Sequence, residues 1–503
     1  MGDPNVLRPR SAPGLALARL VPGASGVVSG VALDSRQVRP GDLYVALPGA
    51  STHGARFVGQ ASAAGAIAVL TDAEGASLAA GAGLPIAVVD DPRLAMAQLA
   101  ADVYGRPGEA MELFGVTGTN GKTSTIFLLD AALAALGRRV GTVGTLGFRV
   151  AGQPLVGVRS TITTPESPDL QALLALMRDE GADAVAMEVS SHALALHRVD
   201  ALTFDAAGFT MLGQDHLEFH VTLEAYFSAK AQLFLGGRAR QAVVNTDDPW
   251  GLCLAELIRA DGSAGLVTTL GADADFRVLD AAPLPDGGSR VRLTQPGGVT
   301  SFDLSMLGSF NVANAVTALA LVGAAGHDVD AAASGLADAQ VPGRMQRVPL
   351  GTIEGGEGRR PPHVVVDFAH TPQAVAAALD ALPRTGRRIA VLGAGGDRDP
   401  SKRGPMGQAA ARASDIVVVT DDNPRSEDPA AIRAAVLAGA RGVSGADVID
   451  GGDRRSAIVA ALRLAGPGDW VALLGKGHET GQEIAGTTSP FDDVAVVREV
   501  WGE

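Results

Sequence analysis

Residues 115 to 125 read GVTGTNGKTST, and this stretch constrains the fold more than any other. The apolar run MELFGVTG that leads into it reads as a buried strand. KTSTIFLLDAALAALG, which follows, reads as an amphipathic helix. A strand, a glycine-rich turn and a helix start bring several backbone N–H groups to one point, and the helix dipole adds partial positive charge there. The common phosphate loop has a glycine, four free positions, then Gly-Lys-Ser/Thr. Counting back from Gly121, Lys122 and Thr123, that first glycine falls on Val116, with Gly115 and Gly118 on either side. The spacing marks a variant loop. Gly118, Thr119, Asn120 and Gly121 make the turn, Lys122 adds a full charge, and the hydroxyls of Thr123 and Ser124 open the helix. The Thr123 hydroxyl suits Mg²⁺.

A chain of 503 residues, 47% of them hydrophobic, exceeds one core, so roughly two to four domains are expected. Three blocks are read, 1–106, 107–340 and 341–503. The first ends at the Gly/Pro break VYGRPGEA and the second near AQVPGRMQRV. The third carries HVVVDFAH, RIAVLGAGGDRD, DIVVVTDDNPR and DWVALLGKGHE, apolar runs that each end in a polar corner. Alanine-rich helical stretches such as PQAVAAALDALP separate them. This alternation predicts an α/β fold with a parallel sheet. Ligands gather at the carboxyl ends of such strands, so the four corners share one edge. IEGGEGRR, at 353–360, reads as a surface loop.

The 55 acidic and 41 basic residues give −14, which argues against a non-specific nucleic-acid binder. A single cysteine, Cys253 in WGLCLAEL, excludes an intramolecular disulfide or a Cys-cluster metal site and reads as a small core residue. The start, MGDPNVLRPRSAPG, has no continuous apolar segment like a signal peptide, and no run of about 18 apolar residues occurs elsewhere. A soluble cytoplasmic protein without membrane insertion is expected.

Other residues carry chemistry by type and place. Glu188 ends the apolar run of AVAMEVSSH, where a carboxylate suits Mg²⁺ in partnership with Thr123. Asn311 and Asn314 in GSFNVANA each present a donor and an acceptor on one amide; a helix N-cap is the alternative. Lys230 sits in the apolar helical stretch AYFSAKAQLF, where a snorkelling stem is the plain reading. In TDDNPR, Pro424 stiffens the turn and Arg425 offers a fork for a carboxylate, unless it pairs with Glu427.

The ordered set LDSRQVRPGDLYVAL, GVTGTNGKTS, TITTPES, MEVSSHAL, DHLEFH, GSFNVANAVTALA, PGRMQRV, VDFAHTP, GGDRDPSKR, DDNPR and GKGHE resembles the Mur ligases, ATP-dependent amide-forming enzymes of peptidoglycan precursor synthesis. The resemblance spans nearly the whole chain, and DDNPR with GKGHE resembles the ligase of that series that adds a diamino acid. It implies a three-domain architecture: a UDP-substrate domain, a central P-loop ATPase domain and a C-terminal Rossmann-like amino-acid domain. It implies that ATP phosphorylates a substrate carboxylate, that an amine attacks the acyl phosphate, and that the substrates are UDP-MurNAc-L-Ala-D-Glu and a diamino acid. A monomer is expected.

The resemblance also assigns residues. Lys122, Glu188, His216 and Lys230 are the catalytic set, and Thr123, Glu188, His216 and Lys230 the Mg²⁺ set, with Lys230 carrying a carbamate derived from CO₂. Gly118 to Ser124, Asn311, Asn314, Arg344, Asp367 and His370 surround ATP. Leu33, Asp34, Ser35 and Arg36 match the uridine end of the muramoyl substrate, and Thr163, Thr164, Ser191 and Arg198 its peptide and carboxylate contacts. Arg398, Asp422, Asn423, Pro424, Arg425, Gly475 and Glu479 face the added amino acid, with the distal carboxylate of meso-diaminopimelate on Arg425 and an ammonium on Glu479. Met211, Gln214 and Leu196 depart from the usual Asn, Arg and Gln. L-Lysine or L-ornithine remain alternative amino acids. The rival classes are a folylpolyglutamate synthetase-like ligase, a P-loop kinase that stops at a phosphoester, and a nucleotide-binding module without chemistry.

Overall fold

The computed structural model describes residues 7, 9–49, 51–155, 162–285, 287–352 and 360–502. Apart from Arg360, the expected surface loop at 353–360 lies outside them. The chain divides into two compact units. One runs to Leu279 and takes in Arg292–Ser301 and Asn314–Leu336; the other comprises Asp280–Val291, Phe302–Ala313 and Ala337 onward.

In the first unit, β1 (Gly30–Ala32), β2 (Asp42–Val45), β3 (Ala68–Thr71) and β4 (Ile86–Val88) form a parallel sheet in chain order. At the centre of the following eight-stranded sheet lies β5 (Glu112–Thr117), which leads through the glycine loop into α1 (Lys122–Ala135). The remaining strands are β6 (Val140–Gly144), β7 (Gly147–Val150), β8 (Gln153–Pro154), β9 (Ala184–Glu188), β10 (Phe204–Phe209), β11 (Ala239–Asn245) and β12 (Gly265–Thr269), in the order β8-β7-β6-β9-β5-β10-β11-β12. β9 and β10 pair with β5 in parallel on either side. Glu188, at the end of β9, lies opposite Val116 and beside the loop.

The expectation of an amphipathic α1 is corrected. Every residue from Thr123 to Leu129 is buried, because the sheet covers one side of the helix and Val329–Ala333 and Ser334–Leu336 pack on the other. Cys253 is exposed, against expectation. Helix Pro249–Asp261 buries Gly251, Leu254, Ala255 and Ile258, a stripe at helical spacing, and position 253 falls off it.

α2 (Leu217–His220) and α3 (Leu223–Ala231) meet at Val221, which has φ +68° and ψ −48°. The Thr222 N–H donates to the His220 carbonyl at 2.8 Å, closing a γ-turn around Val221. A β-branched residue is strained there, and Val221 is 78% exposed, so packing returns nothing. Val221→Gly should therefore raise stability by about 1 kcal/mol, the relieved strain less the entropy of the added glycine. Thermal melting of the two proteins checks this, and an unchanged or lower Tm contradicts it.

The second unit holds the parallel strands β13 (His363–Asp367), β14 (Arg388–Leu392), β15 (Ile416–Thr420), β16 (Asp447–Gly452) and β17 (Trp470–Leu474). Their order is β13-β17-β14-β15-β16, with a two-residue antiparallel edge strand, Gln346–Arg347, beside β13. The faces of β13, β14, β15 and β17 are covered on both sides, which is why these strands read as short apolar runs. Val365 faces one core, while Val364 and Val366 face the other. A hairpin of β18 (Gly481–Ile484) and β19 (Thr487–Pro490) follows. Among the described residues no helix is long and apolar enough to cross a membrane.

Candidate active site

The loop after β5 explains its own unusual spacing. Val116 is wholly buried inside the strand, so the turn starts later than in the common pattern. Gly118 has φ +145°, and a Cβ there would come within 1.9 Å of Thr210 Oγ1. Gly121 has φ +88°, and a Cβ there would come within 2.4 Å of Asn314 Oδ1. Glycine is thus demanded at 118 and 121 by the backbone and by close neighbours. Met211, one of the departures, anchors the loop through its backbone: Thr119 N–H donates to Met211 O at 2.8 Å. Thr119 and Gly213 also bond each other through the Thr119 hydroxyl. Gln214 is exposed, and Leu196 caps the C-terminus of helix Ser191–Ala195.

Lys122 lies at the first position of α1, and its Nζ donates to Gly118 O at 2.9 Å and Thr119 O at 3.0 Å. Lys230 Nζ donates to the same Gly118 carbonyl at 2.8 Å from the other side. Lys230 is 1% exposed and stands over the Tyr226 ring, 4.5 Å from its centre. Burial, reinforced by the Lys122 charge, holds its amine well below the ordinary lysine range. The snorkelling reading fails, because the head group points into the protein rather than to water. A depressed pKa leaves more neutral amine, the form that reacts with CO₂.

Glu188 is 1% exposed and fully engaged. Its Oε1 accepts from Thr123 Oγ1 and from the Thr145 N–H, both at 2.9 Å, and Oε2 accepts from Thr145 Oγ1 at 3.1 Å. Thr123 and Glu188 thus supply adjoining hard oxygens that fit Mg²⁺. No hydrogen bond or ion pair joins His216 or Lys230 to Glu188 among the described residues, and no three acidic, His or Cys side chains there are grouped so that they could hold a metal by themselves. His216 has φ +53°, caps α2, and faces Asp215 and Glu218 at 3.4 Å each. Its ring lies 4.9 Å from His192. Ser124 is buried at the same helix start.

The expected muramoyl contacts fall into two groups. Thr163 Oγ1 lies 3.3 Å from Thr145 Oγ1, and Thr164 Oγ1 donates to the Glu188 carbonyl at 2.8 Å. Ser191 Oγ sits 2.9 Å from His220 Nε2. Arg198 bonds Glu166 and the Thr164 carbonyl, and Arg93 holds the other Glu166 oxygen at 3.1 Å. In the first sheet's domain, Ser35 Oγ donates to Gln60 at 2.9 Å, Arg36 pairs with Asp34 at 2.6 Å, and Leu33 packs on the core. Asn314 Oδ1 accepts from Thr125 Oγ1 at 3.5 Å.

In the second unit Asn311 is the third residue of helix Ser309–Ala324, and its amide donates back to Leu307 O at 2.8 Å. It is therefore not an N-cap. The Arg344 guanidinium stacks on Phe368, 4.6 Å from the ring centre. Asp367 accepts the Met345 N–H at 2.7 Å, and burial raises its carboxyl while Arg344 opposes the rise. His370 Nδ1 meets Phe368 O at 2.8 Å, and burial lowers its pKa.

The corners of β15 and β17 converge as expected of one sheet edge. Asn423 Nδ2 donates to Glu479 Oε2 at 2.7 Å. Asp422 is buried, which raises its carboxyl, and a Cβ on Gly475 would fall 2.2 Å from its Oδ2. Pro424 leads into Arg425, which has φ +52° and donates from Nη1 to Gly396 O at 2.6 Å. The alternative partner, Glu427, is taken by Arg403 at 2.7 Å; the acid near Arg425 is Glu483, 3.7 Å from its Nε. Arg398 is exposed on the neighbouring loop. Thr145, Glu166, Tyr226, Lys476 and Glu483 join these sites without having been singled out in the sequence.

Three family models match the chain: the Mur ligase family catalytic domain over 27–104, the Mur ligase middle domain over 116–322, and the Mur ligase glutamate ligase domain over 343–477. A UDP-N-acetylmuramoyl-L-alanyl-D-glutamate–2,6-diaminopimelate ligase of Streptomyces coelicolor is 48% identical, covering 95% of this chain and 93% of its own. A UDP-N-acetylmuramyl-tripeptide synthetase of Leifsonia xyli is 45% identical, covering 97% and 96%. A solved structure of a UDP-N-acetylmuramoyl-L-alanyl-D-glutamate–2,6-diaminopimelate ligase superposes with a TM-score of 0.71 at 32% identity, covering 97% of this chain and 99% of that one. With the phosphate loop, the buried Glu188 and the converging corners of the last sheet, this likeness over almost the full length places the chain in the Mur ligase family of ATP-dependent amide ligases.

Proposed function

We propose that this chain joins meso-diaminopimelate to the D-Glu carboxylate of UDP-MurNAc-L-Ala-D-Glu in peptidoglycan precursor synthesis, acting as a monomer in the cytoplasm. The observation that carries the choice of amino acid is Arg425. It sits in a left-handed turn at the edge of the parallel sheet, beside the Asn423–Glu479 pair. A guanidinium fork receives a carboxylate with two hydrogen bonds, and of the three candidate amino acids only diaminopimelate has a distal carboxylate. Glu479 offers an anionic oxygen to an ammonium group. The name of the Leifsonia relative leaves its amino acid open, so the wild-type preference is the first thing to measure.

The reaction begins with two anions, the D-Glu carboxylate and the ATP γ-phosphate. Lys122 and the N–H groups at the start of α1 neutralise charge where the phosphoryl group passes and hold it in line. Thr123 and Glu188, whose oxygens adjoin, would hold Mg²⁺ together with His216 and a carbamylated Lys230, and the ion would supply further neutralisation of phosphate charge. Thr163, Thr164, Ser191 and Arg198 orient the dipeptide end, while Leu33, Ser35 and their neighbours hold the uridine end. Asn311, Asn314, Arg344, Asp367 and His370 are the positions assigned to nucleotide contacts. Arg398, Asp422, Asn423, Pro424, Arg425, Gly475 and Glu479 present the amine, which attacks the acyl phosphate and releases phosphate.

Arg425→Ala should raise KM for diaminopimelate about tenfold to over a hundredfold, the worth of a charge-assisted contact at roughly 1.5–3 kcal/mol. KM for ATP and for the UDP-dipeptide should hold within about twofold, and discrimination against lysine should fall by a similar factor to the KM rise, because lysine never uses that contact. Arg425→Lys should lose less than the Ala variant but not match wild type, since an ammonium lacks the planar fork. Steady-state kinetics with both amino acids, beside a melting curve, decide it. Equal losses for diaminopimelate and lysine would reject the recognition role.

A further inference from the structure

Lys476 is a buried lysine that the reaction scheme leaves unused. It follows β17 between Gly475 and Gly477, which have φ +111° and +54°, and its side chain is 0% exposed. An ammonium has three N–H donors. Lys476 Nζ finds three acceptors: the Gly481 carbonyl at 2.5 Å, Glu479 Oε2 at 3.1 Å and Asn423 Oδ1 at 3.4 Å. Those acceptors come from the hairpin, the β17 corner and the β15 corner.

The contact fixes which way each partner faces. Asn423 Oδ1 is held by Lys476 and by the Glu483 N–H at 3.0 Å, so its Nδ2 must turn to Glu479 Oε2, 2.7 Å away. Glu479 Oε2 then carries both the Lys476 and the Asn423 bonds, while Oε1 takes no partner among the described residues. The same ammonium secures the start of the hairpin, whose Gln482 amide donates to Asp422 O at 2.7 Å and whose Glu483 carbonyl accepts the Arg425 N–H at 3.0 Å. One buried cation therefore orders both ends of the candidate amino-acid site.

We propose that Lys476 is the positioning residue of that site: it turns Asn423 and Glu479 so that Glu479 Oε1 faces the amino group of the incoming diamino acid, and it pins the hairpin that backs Arg425. The inference rests on the assignment of this edge to the added amino acid. Lys476 also offsets the Glu479 charge, so the site rewards a correctly placed ammonium hydrogen bond over mere positive charge.

The test is a double-mutant cycle on kinetics, with the full-length enzyme and whichever diamino acid the wild type uses best. Lys476→Met should raise KM for that amino acid about tenfold to a hundredfold, with KM for ATP and the UDP-dipeptide within about twofold. In a Glu479→Gln background the same change should add at least about threefold less than it does in the wild type, since the part that runs through Glu479 is already lost while the hairpin contact remains. Full additivity, or parallel losses in all three KM values, overturns the proposal. Lys476→Gln, which keeps two donors, should fall between wild type and Met. If neither variant melts as a folded protein, the lysine is structural and the proposal falls. A wild-type preference for lysine or ornithine would instead overturn the choice of diaminopimelate, and that result is read before any variant is made.

Discussion

Lys122→Ala is expected to lower kcat at least about 10²- to 10³-fold, the loss seen when even one preorganised hydrogen-bond donor is removed from a developing anion, roughly 2.7–4 kcal/mol. Lys122 opens α1, where N–H groups and the dipole already favour negative charge. Its Nζ is drawn back onto Gly118 O and Thr119 O, the carbonyls of the loop itself, so the side chain lies folded across the mouth of the loop. A phosphate oxygen is a far stronger acceptor than a peptide carbonyl, so nucleotide exchanges weak contacts for a charge-assisted one. Most of that gain is realised as charge moves in transfer, so kcat should fall more than KM for ATP rises. The check is phosphate release with saturating ATP, UDP-dipeptide and diamino acid, beside a melting curve. Turnover within about threefold of wild type at saturating ATP would refute the role.

Lys230→Met should lose at least about 10²-fold in activity and yet melt no lower than wild type. Few substitutions separate function from stability so clearly. The amine is 1% exposed, and its burial together with the Lys122 charge disfavours the ammonium. One carbonyl and one ring face offset only part of that cost. An apolar chain of similar length removes the cost and fills the same space. Activity falls because the proposed carbamate, which would turn a cation into an oxygen donor for Mg²⁺, has no nitrogen to form on. Short-chain carboxylic acids should partly restore Lys230→Ala, in which the space is open. Full activity of either variant without additives sinks the carbamate reading, and a large drop in Tm for the Met variant sinks the stability argument.

The legible parts of this protein are those written in contiguous residues. A phosphate loop with its strand and helix occupies 112–135, and the apolar runs of the last sheet each carry their polar corner with them. Glu188 was readable because a carboxylate ending an apolar strand stands at the ligand edge of a parallel sheet. What escaped is what folding brings together from afar. Thr145, 43 residues from Glu188, gives that carboxylate two of its three hydrogen bonds. Glu166 occupies Arg198 from 32 residues away, and Lys476 reaches Asn423 across 53. Threonines and a lysine of this kind carry no local signal. Cys253 misled because an apolar neighbourhood in sequence does not fix which side of a helix is covered; the residues three and four apart, 251, 254, 255 and 258, did. The helix α1 misled in the opposite direction, since its second covering layer comes from 329–336, some two hundred residues later.

The most direct measurement of the central claim is a product assay on the wild-type enzyme with ATP, UDP-MurNAc-L-Ala-D-Glu and, in turn, meso-diaminopimelate, L-lysine and L-ornithine. One phosphate should be released per new amide formed, with kcat/KM for diaminopimelate exceeding that for the other two by at least the tenfold that the Arg425 contact supplies. A stable phosphoester without amide, or a preference for lysine or ornithine, would contradict it.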